Sequence, residues 1–368
     1  MKKQIVKEVI TVKKVRYLPR EEPPPPPPPP RQVLVVGRCT LDVINICNEE
    51  PKPGMIERTD EGFFRLGGYA ANSCCVLRRL GTACAFLGQL TKAPAFENLM
   101  NSFQAMDIDI SNCPRNCQQP PHRIIVAVWN KAEQTTVEYT NHHHELTYQQ
   151  FVGAVDYRKY CWIHFESRNT GETIRMVRAV RAYNERSPDA NILLSVDLAD
   201  MRPHSCLMAA LADYVLVRKQ VKVDNGYMNG RETVWGVRDA MTVARKRWQS
   251  KQPKKTPYTT EDMPGLNPDT NTLYQPIIIY DNYEEGSSCL MPDNKYFKVG
   301  PHKAQQIVDP IGEEETFVGA FIYAMQGDKM SLRDAIEYAT RAACFKVSIF
   351  GFDKMRCMPK DLISCYHA

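Results

Sequence analysis

Val33-Leu34-Val35-Val36-Gly37-Arg38-Cys39-Thr40-Leu41-Asp42-Val43-Ile44 is the stretch on which the fold turns. Its first five residues are an apolar run closed by glycine, the pattern of a strand buried on both faces. An alternating ribbon carrying one acid, Asp42, follows at once. Further strand patterns cover 124–129, 135–139, 161–166, 192–197, 214–217 and 276–280. Helical spacing lies between several of them. Residues 70–80 put Ala70, Cys74 and Leu77 on one face and stop at Gly81; Ile174, Val177 and Val180 repeat at the same period. Leu332, Ala335, Ile336, Ala339 and Ala343 do so behind a Ser331/Asp334 cap pair. Strands alternating with helices predict an α/β fold with a mostly parallel sheet covered on both faces.

Composition narrows the class. The 368 residues are 43% hydrophobic and 24% charged, ordinary for a globular protein and far from a disordered one. No apolar stretch approaches the ~20 residues of a membrane span. Lys2, Lys3, Lys7 and Glu8 interrupt the start too early for a signal peptide. Thirteen cysteines without a CxxC pair predict a reducing, cytoplasmic setting and free thiols. Cys113 and Cys117 have no second pair at zinc spacing, so no metal site is expected. The net charge of +5 sits mostly in residues 1–22, with seven basic residues against three acids. The remainder is close to neutral and lacks the basic face of a nucleic-acid binder.

Eight prolines, Pro23 to Pro30, separate a basic tail and spacer (1–31) from the body (32–358). Such a rod suits an aromatic groove of a proline-recognition domain. Residues 249–274, rich in proline and lysine, read as a surface insertion before the strand at 276–280. His142-His143-His144 reads as a solvated loop, and Cys74-Cys75, Thr316, Phe317, Ala320 and Phe321 as core.

Three segments carry chemistry. The ribbon with Asp42 is the first. Leu66-Gly67-Gly68-Tyr69-Ala70-Ala71-Asn72-Ser73 is the second, with paired glycines opening a helix. Ile307-Val308-Asp309-Pro310-Ile311-Gly312-Glu313-Glu314-Glu315-Thr316-Phe317 is the third, just before an apolar helix. In this order they resemble the PfkB, or ribokinase-like, carbohydrate kinases. Trp162-Ile163-His164-Phe165-Glu166-Ser167-Arg168-Asn169, Cys84-Ala85-Phe86-Leu87-Gly88, Glu284-Glu285-Gly286 and Gly351-Phe352-Asp353 are similar to segments of the ketohexokinase branch. The resemblance covers residues 32 to 353.

It implies a Rossmann-type three-layer α/β sandwich with a small β-sheet lid, formed by strands at about 40–58 and 122–140. It also implies ATP and Mg as cofactors, transfer to the C1 hydroxyl of a ketose such as fructose, and a homodimer joined through the lid. In the family, backbone N–H groups of a Gly-Ala-Gly run at a helix N-terminus hold the transferring phosphoryl group, and the next aspartate is the base. Here that run reads Gly312-Glu313-Glu314-Glu315. Glu315 keeps a carboxylate at the base position. A carboxylate 4 Å from a phosphoryl oxygen costs roughly 4 kcal/mol at an effective dielectric of ~20, a factor of about 10³ in rate, unless Glu313 and Glu314 swing outward.

On the sugar side, Asp42 and Asn72 match family sugar contacts beside Gly68. Tyr69 replaces an asparagine, and Gln134 replaces a lid arginine whose forked donors no glutamine reproduces. Gly286 is expected near the adenosine. Three functions follow: a catalytically impaired pseudokinase whose glutamates fill their own anion site, an active sugar kinase using Glu315 as base, and a polyproline-mediated adaptor.

Overall fold

The computed structural model describes residues 30–59, 61–129, 131, 134–139, 144–187, 189–251, 266–267, 272–273, 275–326 and 330–358. The basic tail, all but the last proline of the run, His142, His143 and most of the 249–274 insertion lie outside the described residues.

In chain order the elements are β1 (Gln32–Val36), β2 (Thr40–Cys47), β3 (Glu61–Gly67), α1 (Tyr69–Leu80), β4 (Cys84–Leu87), β5 (Leu90–Thr91), α2 (Glu97–Ala105), β6 (Arg115–Asn116), β7 (His122–Val128) and β8 (Gln134–Tyr139). Then come α3 (Tyr148–Ala154), β9 (Tyr160–Phe165), α4 (Thr170–Arg186), β10 (Leu193–Leu198), α5 (Pro203–Ala209), β11 (Tyr214–Val217), α6 (Lys219–Asp224) and α7 (Gly230–Lys251). The last are β12 (Leu266–Asn267), β13 (Thr272–Leu273), β14 (Ile277–Tyr280), β15 (Ser288–Leu290), β16 (Tyr296–Lys298), α8 (Glu313–Gln326) and α9 (Leu332–Val347).

Eight strands form the central sheet in the order β16-β15-β14-β11-β10-β9-β1-β4. The six from β14 to β4 are parallel, while β15 and β16 return antiparallel at one edge. Val33, Leu34, Val35 and Val36 are all buried, so both faces are covered, as the unbroken apolar run requires. One helical set joins α1, α8 and α9, and another links α3, α4, α5 and α7. Ser331 caps α9 by accepting from the Asp334 amide, as its sequence predicts. Cys74, Cys75, Thr316, Phe317, Ala320 and Phe321 are buried in the core.

Parallel strands bring their carboxyl ends to one edge, the edge at which such sheets bind ligands. Here that edge carries Glu166 after β9, Asp197 in β10, Arg218 and Lys219 after β11, and Asp281 after β14.

The lid is a separate four-stranded sheet, β3-β2-β7-β8, with β2 and β7 parallel. The lid reading of 40–58 needs correction. Its strand ends at Cys47, and the second strand is β3, so Gly67 closes a strand and only Gly68 heads α1. Gly62 within Glu61-Gly62-Phe63-Phe64-Arg65 interrupts the alternation that marks a strand. The expected insertion also begins late, because α7 runs to Lys251. Charge and apolarity alternate on the lid in register. Arg65, Asp42, Arg123 and Glu138 form one row, and Phe64, Val43, Ile124 and Val137 form the next. On the inner face Ile44 and Ile125 pack on Ile311, in the loop before α8.

Candidate functional site

Helices α1 and α8 meet closely because Gly319 has no side chain: a Cβ there would lie 2.8 Å from Val76 Cβ and 3.0 Å from the Ser73 carbonyl oxygen. That approach sets the first turn of α1 beside the first turn of α8. Asn72 Nδ2 donates to Glu315 Oε1 at 3.0 Å, and both residues are buried. Burial raises the Glu315 carboxyl above its ordinary range, opposed by the nearby Arg123 and by the Asn72 hydrogen bond. Asn72 Oδ1 is buried and has no hydrogen-bond partner among the described residues.

Asp42 lies fully buried in the lid. It accepts from Thr40 Oγ1 at 2.7 Å and from Arg123 Nε at 2.8 Å, while Arg123 Nη2 bonds its second oxygen. This fork is bidentate, the strongest geometry available to an arginine and a carboxylate. Gly67 lies against Asp42, where any Cβ would collide with the carboxylate. Gly68 has φ +97°, and its missing Cβ clears the Arg38 carbonyl. Gln134 does not join this group. It is exposed opposite Ala127, four rows along the lid from Asp42, about 13 Å at strand rise. The guanidinium at Asp42 comes instead from Arg123.

The other half of the α8 N-terminus is occupied from within. Gly312, at φ +89°, turns the chain into α8 against the Phe352 ring. Glu314 points inward: Oε2 accepts from the Tyr69 hydroxyl at 2.6 Å and Oε1 from the Lys219 amide at 2.7 Å. Glu313 Oε2 accepts from Lys219 Nζ at 2.6 Å. The outward alternative for these two side chains is therefore not adopted. Arg218 covers the Tyr69 ring, with its guanidinium carbon 3.2 Å from the centroid, and donates to Asp197 Oδ2 through Nε at 3.1 Å. Tyr69, Asp197, Arg218, Asp281, Glu314 and Phe317 line a small cavity of about 20 Å³, room for a water molecule.

Charge is unevenly matched here. Burial, with Glu314 and Glu315 beside it, pushes the Glu313 carboxyl up to about 7 against the pull of Lys219. Burial raises Asp281 as well, reinforced by Glu313 and countered by Lys219. Glu313 Oε1 and Asp281 Oδ2 are buried without a hydrogen-bond partner among the described residues. Burial lifts the Tyr69 hydroxyl well above its usual range, with Glu314 adding to it.

A third cluster fixes the loop itself. Asp309 Oδ2 accepts from Arg65 Nη1 at 2.7 Å, Lys346 Nζ at 3.0 Å and the Gly351 amide at 2.9 Å, while Oδ1 accepts from the Ile311 amide at 3.1 Å. Lys346 is fully buried, and burial brings its ammonium down to about 8 despite Asp309. Gly286 precedes Ser287, whose hydroxyl donates to Asp281 Oδ1 at 3.2 Å. The φ of Gly286 is +88°, and a Cβ there would strike the Val299 carbonyl, so a strand-to-turn conformation accounts for it.

Arg123, Arg218, Lys219, Asp197 and Asp281 complete the site and were not singled out by the motifs. A usable signal existed for the last four, which sit at or just beyond the carboxyl ends of predicted strands. Among the described residues no group of three or more His, Cys, Asp or Glu is arranged to hold a metal ion. Each described cysteine is free, and no helix among the described residues is long and apolar enough to cross a membrane.

Comparison with known proteins agrees with the fold. A sequence model of the pfkB family carbohydrate kinase matches residues 30–217. Mouse (Mus musculus) ketohexokinase is 24% identical over 325 residues, covering 88% of this chain and 98% of its own. Many solved structures share the fold, two ribokinases among them. Giardia lamblia ribokinase has a TM-score of 0.66 at 11% identity, covering 89% of this chain and 96% of that one. Arabidopsis thaliana ribokinase, complexed with ribose and ATP, has a TM-score of 0.62 at 15% identity, covering 88% and 95%.

Proposed function

This chain belongs to the pfkB family of carbohydrate kinases, and from that premise we propose that it is a ketohexokinase-like pseudokinase whose phosphoryl-transfer centre is filled by its own side chains. One observation carries the reading. Glu314 is tied into the α8 N-terminus by the Tyr69 hydroxyl and the Lys219 amide, and Glu313 by the Lys219 ammonium. A helix N-terminus attracts anions through its unpaired N–H groups and partial positive charge. Here two carboxylates of the same chain sit at that position. Each would oppose a phosphoryl oxygen by roughly 4 kcal/mol at 4 Å. As arranged, these residues do not fit the triphosphate of MgATP, and no transfer step is assigned to them. The sugar side supports the same reading, because the carboxylate matched to the family's ketose contact is already held by Arg123.

A second reading, an active kinase with Glu315 as base, has one observation in its favour. Glu315 is buried, oriented by Asn72, and its carboxyl is raised toward the range useful to a general base. ADP release from MgATP with saturating fructose separates the two readings. The pseudokinase predicts no difference between wild type and Glu315→Ala, both folded. Turnover that disappears in Glu315→Ala establishes the active kinase.

The body is further read as a cytoplasmic homodimer joined through the lid. The row Phe64, Val43, Ile124 and Val137 supports it, with Phe64 74% and Val137 64% exposed. An apolar row spanning four strands is a surface that a second copy can bury. A monomeric mass by light scattering at micromolar concentration would count against it. The polyproline adaptor role belongs to the tail, and deletion of residues 1–31 should then abolish capture of a proline-recognition domain.

A further inference from the structure

Three carboxyl groups, Asp281, Glu313 and Glu314, act on the Lys219 ammonium by charge, and Glu313 alone bonds it. Lys219 Nζ is spent on Glu313, and its side chain remains 30% exposed, so solvent ions reach it. Glu314 is satisfied separately, by the Tyr69 hydroxyl and the Lys219 amide. Glu313 is not: one of its oxygens is buried with no partner, and so is one of Asp281. An unpaired acceptor beside like charges gains from becoming a proton donor.

We propose that Glu313 is a proton-operated latch on Lys219. Ionised, it holds the ammonium in an internal ion pair; protonated, it releases the ammonium to bind an oxyanion of the phosphate class at the α8 N-terminus. The proposal rests on the reading that this N-terminus is self-occupied, and it adds the condition under which the share of Glu313 in that occupation ends.

The groups facing Glu313 come from every side. Lys219 is contributed by α6, Asp281 and Tyr283 by the segment after β14, Glu314 and Glu315 by α8 itself, and Cys344 by α9. Of these groups only Lys219 favours the ionised form, and the positive end of α8 adds to it. The position of the Glu313 carboxyl, pushed up to about 7, places the change within an accessible pH range. Proton and oxyanion then bind together, and by linkage each strengthens the other. Glu314 stays in place throughout, so the ligand site is the Lys219 ammonium and its solvent side, not the cavity behind Tyr69.

Sulfate is a suitable probe, since its charge does not change between pH 6 and 8.5. Its affinity is read by thermal stabilisation or calorimetry at constant ionic strength. For the wild-type chain, sulfate should bind about tenfold more tightly at pH 6 than at pH 8.5. Glu313→Gln should bind equally well at both, at or above the wild-type affinity at pH 6. Lys219→Met, which keeps the backbone amide to Glu314, should bind at neither. Equal wild-type affinity at the two pH values overturns the latch. So does a pH slope retained in Glu313→Gln, sulfate binding retained in Lys219→Met, or no binding by any form at pH 6. Kinase turnover together with pH-independent sulfate binding removes both the pseudokinase and the latch. PH-independent binding without turnover removes the latch alone.

Discussion

The two sides of the α8 N-terminus are both acidic, yet they are balanced in opposite ways. On the lid side each acid has its own partner: Asp42 has the fork of Arg123, and Glu315 has the amide of Asn72. On the sheet-edge side only Glu313 bonds the Lys219 ammonium, Asp281 and Glu314 add their charge beside it, and two carboxyl oxygens are left without a partner. The first arrangement is closed around its acids, each holding its own donor, and is costly to break. The second carries excess negative charge in a buried place, which protons can relieve. Carboxylates gathered at one helix end therefore do not form a single electrostatic unit. Local pairing decides which of them is structural and which is responsive.

Breaking the closed side should have the largest effect. Arg123→Met leaves Asp42 buried without its cation, and unfolding by urea should show a loss of roughly 3–5 kcal/mol. A loss under about 1 kcal/mol would mean that Thr40 and the lid satisfy Asp42 alone. Emptying the responsive side comes next. Replacing Glu313 and Glu314 together by glycine removes two charges from the anion site, and calorimetry should show MgADP affinity rising by up to about 10³-fold. Unchanged affinity would place the obstacle elsewhere. The joint between the two sides is tested by Gly319→Ala. Its Cβ would press on Val76 and Ser73, at a cost of about 1–3 kcal/mol in stability with α1 and α8 forced apart. The smallest effect is in pH. The Glu313 carboxyl lies above its unfolded value, so its share of stability is complete below about pH 4.5 and lost as pH rises through about 7. The thermal midpoint of wild type should fall over that interval more than that of Glu313→Gln.

Most of the central sheet was legible because its strands are apolar runs with little to confuse them; 214–217 matched β11, β1, β9, β10 and β14 shifted by one residue, and β4 and the short antiparallel β15 and β16 were not read as strands. Asn72 and Glu315 were legible through their motifs, and the structure brings them within hydrogen-bonding distance. Arg123 was not, for a physical reason. Within His122-Arg123-Ile124-Ile125 it reads as one polar position of a strand, and its partner is set only by the parallel register of β2 and β7. The row of Gln134 was hidden for the same reason, since position in a motif says nothing of the row a strand residue occupies. The inward turn of Glu313 and Glu314 was beyond sequence because it depends on Lys219, some 95 residues upstream in a different layer. Tyr69 was read as the loss of an amide; the fold uses its hydroxyl to hold Glu314.

The Asp309 carboxylate gathers a lid strand, a buried lysine of α9 and the Gly351 amide, while Phe352 fills the space that Gly312 leaves open. The Gly351–Phe352 segment is thus a wall of the site. Trimming the chain before residue 351 would remove the Gly351-Phe352-Asp353 segment, leave Asp309 short of a donor and deprive the turn into α8 of its backstop. For anyone choosing where to cut or fuse this protein, the border of the domain is chemical rather than topological, and it lies beyond Phe352.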